Sequence, residues 1–84
     1  MTDQEILETL TTIFHEVFDN DSLVIGPTTS APDIVGWDSV NNISLMVATE
    51  MRFGLRFKTS ELEELRNVGD LVSLIKKNLT ERRA

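Results

Sequence analysis

Three stretches of this chain bring apolar residues back at the spacing of a helix turn, and none alternates them at the spacing of a strand. That periodicity limits the fold more than any other feature. In the first stretch Ile6, Leu10, Ile13, Phe14, Val17 and Phe18 form one stripe. Thr2-x-x-Glu5 precedes it as a capping box, whose two side chains satisfy two free amides at a helix start. The second stretch runs from Ser39 to about Phe53, and Gly54 is placed to end it, because glycine takes the left-handed conformation without steric cost. The last carries Val68, Leu71, Val72, Ile75 and Leu79 on one face, behind Asn67 as a cap. Lys76 and Lys77 near its end suit the helix dipole. Between these two, Ser60-x-x-Glu63 predicts a short helix with Leu62 and Leu65 inward. The expected fold class is therefore all-α: a four-helix bundle with three longer helices, one short third helix and a long loop between helices one and two.

With 84 residues there is room for one core, so residues 1–84 are expected to form a single domain and a monomer. The chain has no cysteine and one histidine, which removes disulfides and metal clusters as supports for a small fold. His15 falls off the apolar stripe and has no companion for metal ligation or a catalytic triad, so a solvated surface position is expected. No charged-then-apolar signal segment opens the chain, and no apolar run approaches the ~20 residues that span a bilayer. A cytoplasmic protein without stable membrane insertion is the expectation.

The net charge of −6 argues against binding nucleic acid, which demands a basic face. Residues 1–38 hold eight acids and no Lys or Arg, whereas residues 39–84 hold six acids and eight bases. Two readings stand: a solvated acidic surface, or a field that steers basic partners.

"DNDSLVIGPTTSAPD" interrupts the helical pattern with Gly26, Pro27 and Pro32. Asp19, Asn20 and Asp21 suggest a calcium loop, but the place that needs glycine holds Val24 and the final place holds Ser30, not glutamate. No metal site is expected in the free protein. A loop of about twenty residues is unusual in a compact domain. Leu23, Val24, Ile25, Ile34, Val35 and Trp37 give it apolar weight enough to lie across the bundle.

Advancing 100° per residue along the second helix puts Ile43, Met46, Thr49 and Phe53 on one side, with Leu45 at its edge. Val40, Ser44, Val47 and Met51 point the opposite way, with Ala48 beside them. An apolar face turned from the core reads as a docking surface. Thr49 on the inner side either bonds a carbonyl one turn back or supplies a polar spot in a cavity.

"GWDSVNN" opens that helix, and either Asp38 or Ser39 can cap it. A catalytic Ser39 would need a base within reach, yet the one histidine lies in another helix and no G-x-S-x-G elbow is present. Hydrolase chemistry is not expected. A phosphate ester on such a serine is electrostatically tolerated, since a helix start presents free amides and the positive end of the dipole.

At this point "GWDSVNNISLMVATEMRFGLRF" resembles the acyl carrier proteins, whose mark is Asp-Ser-Leu at the start of the second helix. The resemblance covers nearly the whole chain, including Phe53-Gly54-Leu55 and "NVGDLVSLI". It implies a discrete carrier that catalyses nothing alone. A phosphopantetheinyl transferase would move 4′-phosphopantetheine from coenzyme A onto Ser39, and acyl intermediates would ride on the arm as thioesters. Asp38 would assist the metal of the transferase complex. Trp37, Asp38, Val40, Ser44, Val47 and Met51 would meet the acyl-loading, acyl-modifying and acyl-transferring enzymes. Ile43, Met46, Thr49, Leu62 and Leu65 would bound an acyl cavity. Two departures from the family pattern point to a specialised carrier in lipid, fatty-acid or polyketide-like biosynthesis. Val40 stands where leucine is usual, and residues 39–53 hold a single acid, Glu50, offset by Arg52. Trp37 fits a dedicated carrier and equally an aromatic that pins the loop. The alternatives are an aminoacyl or peptidyl carrier and, from another class, an unmodified helical interaction module.

Overall fold

The computed structural model describes residues 2–81. Helix α1 (Asp3–Val17) is followed by a 3₁₀ turn (Ala31–Asp33), then α2 (Ser39–Phe53), α3 (Thr59–Glu63) and α4 (Val68–Glu81). There is no strand among the described residues.

Local chemistry sets most of these boundaries. Thr2 Oγ1 accepts from the Glu5 amide at 3.2 Å while Glu5 Oε1 accepts from the Thr2 amide at 2.8 Å, completing the expected box. Asn67 Oδ1 accepts from the Asp70 amide at 2.8 Å and caps α4. Gly54 ends α2 at φ +65°, and the Leu55 amide donates back to the Glu50 carbonyl at 3.0 Å. Helix α3 departs from the expected Ser60–Glu63 box. It starts at Thr59, and Glu61 closes its start by accepting from the Lys58 amide at 2.8 Å. Glu61 sits three residues past Lys58, the spacing at which a carboxylate reaches back across the first turn.

The long loop is tied down by its own backbone. The carbonyls of Thr29 and Pro27 accept from the amides of Val68 and Gly69, each at 2.8 Å, so the loop fills donors that α4 cannot satisfy itself. His15 is half-buried and is not a solvated residue as expected. Its Nε2 donates to the Leu23 carbonyl at 2.7 Å, because a carbonyl leaving regular structure still needs a donor. Ile25 and Ile34 enter the core, whereas Val24 and Val35 stay exposed. Trp37 is half-buried, edge-on to Phe14 with ring centroids 5.2 Å apart and an interplanar angle of 85°, and 6.2 Å from Phe18.

Helix α1 lies against both α2 and α4. Ile6, Leu10, Ile13 and Phe14 meet Leu45, Met46 and Phe53 from α2 and Val68, Leu71, Val72 and Ile75 from α4 in one core. Burial of these side chains, worth about 1.5–3 kcal/mol each, is the dominant favourable contribution. The ion pairs Arg52–Glu16 and Lys76–Asp3, both at 3.1 Å, lie in solvent and add little. No helix among the described residues is long and apolar enough to cross a membrane.

Candidate functional site

The start of α2 settles the open choice of cap. Asp38 has extended backbone, and its Oδ1 accepts from the Asn41 amide at 2.9 Å. Ser39 is consequently the first helical residue, with an exposed side chain. Among the described residues its hydroxyl makes no hydrogen bond. Gly36, at φ +90°, turns the chain into the helix, and Asn41 Nδ2 donates to the Gly36 carbonyl. An ester on Ser39 Oγ would break none of these bonds.

Beside Ser39 opens a pocket of about 410 Å³. Ser39, Asn42 and Met46 line it at positions i, i+3 and i+7 of one helix face. Leu62, Leu65 and Leu71 add apolar surface, and Trp37, Asp38, Arg66 and Asn67 complete its polar part. A group leaving Ser39 therefore has a pocket of mixed polar and apolar lining directly beside it.

Three of the five expected cavity residues, Met46, Leu62 and Leu65, line this pocket, and two do not. Ile43 is 66% exposed and turned outward. The packing of α2 on α1 buries Leu45 completely and makes it the centre of the contact, not its edge, and Ile43 then lies too far around the helix to reach the core. Thr49 is fully buried and donates to the Leu45 carbonyl at 2.7 Å, so its hydroxyl is spent within the helix. Asn42 was legible as the residue one turn below Ser39 on the Met46 face. Leu71, Arg66 and Asn67 had no local signal, because α4 and the turn before it bring them in from a distant part of the chain.

The outward face of α2 gains a member. Val40, Ile43, Val47 and Met51 are all exposed along about three turns, with Ser44 among them. Of the other expected docking residues, Asp38 is exposed at the cap, while Trp37 is half-buried and its indole Nε1 donates to Asn42 Oδ1 at 3.0 Å. The one acid of α2 is also engaged: Glu50 Oε2 accepts from the Phe57 amide at 2.8 Å. Among the described residues no group of acidic or histidine side chains could hold a metal ion.

Residues 8–75 match the family model described as phosphopantetheine attachment site. An acyl carrier protein of Acidothermus cellulolyticus is 33% identical over 75 residues, covering 89% of either chain. A meromycolate extension acyl carrier protein of Mycolicibacterium smegmatis is 33% identical over 76 residues, 90% of this chain and 77% of that one. The solution NMR structure of a holo acyl carrier protein from Geobacter metallireducens superposes with a TM-score of 0.86 at 44% identity, covering 92% of this chain and 88% of that one.

Proposed function

This chain belongs to the acyl carrier protein family, and from that premise we propose that Ser39 is the residue to which its 4′-phosphopantetheine is esterified. The protein is a carrier and not an enzyme, and the prosthetic group is covalent. The observation that carries the assignment is the Ser39 hydroxyl itself: exposed, unbonded among the described residues, and on the wall of a pocket that pairs a polar mouth with the side chains of Met46, Leu62, Leu65 and Leu71. The arm, when attached, supplies the thiol that holds acyl groups as thioesters, a function no residue of this cysteine-free chain could provide.

The chain's own residues divide the remaining work. Asp38 holds the helix end through Oδ1, and its exposed carboxylate stands next to Ser39, where it can assist the metal of the transferase complex. Met46, Leu62, Leu65 and Leu71 shelter the apolar part of a cargo. Val40, Ile43, Val47 and Met51 form the face that meets the phosphopantetheinyl transferase and the acyl-loading and acyl-transferring enzymes. Residues 39–53 offer basic partners a single carboxylate, Glu50, whose Oε2 also holds the Phe57 amide, and this scarcity of acids supports a specialised carrier. Residues 1–84 act as one carrier domain, a monomer of the cytoplasm.

The test is direct. The protein is incubated with coenzyme A, magnesium and a promiscuous phosphopantetheinyl transferase and then weighed intact. Addition of one phosphopantetheine, abolished in Ser39→Ala, is expected. Absence of any gain with a transferase active on a control carrier would overturn the assignment.

A further inference from the structure

The side chain of Asn42 has one end committed and one end free. Its Oδ1 accepts from Trp37 Nε1 at 3.0 Å. An indole nitrogen can only donate, so this bond fixes which way the amide faces: oxygen toward Trp37, Nδ2 away from it. Trp37 cannot easily follow a moving Asn42, because Phe14 of α1 and Phe18 just past its end hold its ring. Among the described residues Nδ2 has no acceptor. Asn42 and Trp37 both line the pocket that also contains Ser39. The exposed side chain of Asn42, one helical turn from the serine, thus brings two neutral N–H donors to the wall of a pocket that Met46, Leu62 and Leu65 also line.

Resting on the attachment at Ser39, we propose that Asn42 is a positioning residue, oriented by Trp37, whose Nδ2 donates to a carbonyl oxygen of the arm or its cargo as either enters the pocket. A neutral carbonyl is the acceptor that suits this place. It must give up water to pass Met46 and the leucines, and without a donor that step is disfavoured. The pantetheine arm contains amide carbonyls and a loaded cargo adds the thioester carbonyl, so the shared chemistry is a neutral carbonyl acceptor from one of these two sources.

The full chain, labelled with ¹⁵N, is followed by NMR as the apo protein, as the holo protein and as its hexanoyl thioester. The side-chain amide of Asn42 is expected to move downfield on modification. Movement already in the holo form assigns the acceptor to the arm, and movement only after loading assigns it to the cargo. Trp37→Phe should abolish the response while the mass gain and the shift of the Met46 methyl persist. As a second measurement, Asn42→Ala should speed hydroxylamine cleavage of the thioester by about three- to tenfold, the effect of losing one hydrogen bond in the sheltered form. Asn42 signals that stay still in all three forms while the Met46 methyl moves would overturn the role of Asn42 and leave the carrier assignment standing. A response that survives in Trp37→Phe would overturn the orienting role of Trp37. Failure of the mass gain at Ser39 would remove the assignment itself, and this inference with it.

Discussion

The amide of Gly69 donates to the carbonyl of Pro27 at 2.8 Å, and a Cβ on Gly69 would lie 2.8 Å from that same oxygen. The loop reaches the first turn of α4 through a gap that admits a hydrogen and nothing larger. Gly69→Ala gains at most about 1 kcal/mol of helix propensity. Against that, it must displace Pro27 backbone and weaken the bond, at a cost of about 1–3 kcal/mol. A net loss of roughly 1 kcal/mol is expected in urea denaturation. An unchanged or higher midpoint would show that the loop moves aside freely.

Asp38 and Ser39 are neighbours with separable duties. Asp38 supplies the cap through its bond to the Asn41 amide, and Ser39 contributes a hydroxyl that stabilises nothing. Asp38→Ala should therefore cost about 1 kcal/mol. Ser39→Ala should stay within about 0.5 kcal/mol of the parent while losing all modification. Equal destabilisation of both variants in thermal melts would show that the serine shares the cap.

Ile43 and Leu45 are two residues apart, yet one is 66% exposed and the other 0%. Leu45→Ala should cost about 2–5 kcal/mol, whereas Ile43→Ser should cost no more than about 0.5 kcal/mol. Val47→Glu and Met51→Lys should likewise keep full helicity by circular dichroism while slowing transfer of the arm by the transferase. Loss of helicity in the latter pair would place those side chains in the core.

Glu5 titrates below the usual carboxylate range, chiefly because the backbone N–H of Thr2 bonds it and secondarily through the Thr2 hydroxyl. A lowered pKa in the folded state means that the unfolded chain takes up the proton first. The contribution is thus complete above the unfolded carboxylate pKa and is lost as pH falls through the folded one. A ¹³C titration of the Glu5 carboxyl should give a midpoint below that of a short Glu-containing peptide, and Glu5→Gln should show a shallower acid-side decline in stability. A midpoint at or above the peptide value would contradict the box.

Much of this protein was legible without a fold. The helix periods, the Thr2–Glu5 box, the Asn67 cap, the Gly54 stop and the place of Ser39 at a helix start depend on residues within one or two turns of each other. Their chemistry is complete locally, so the sequence alone determined them. The rotation of α2 about its axis was different. A wheel drawn from α2 alone allowed both Ile43 and Leu45 to face inward, and the surface of α1, nearly thirty residues earlier, chose Leu45. The same holds for the bond of His15 to the Leu23 carbonyl, the seat of Trp37 against Phe14 and the entry of Leu71 into the pocket. Each joins groups that no local period relates, and only close packing of the whole bundle leaves them one arrangement.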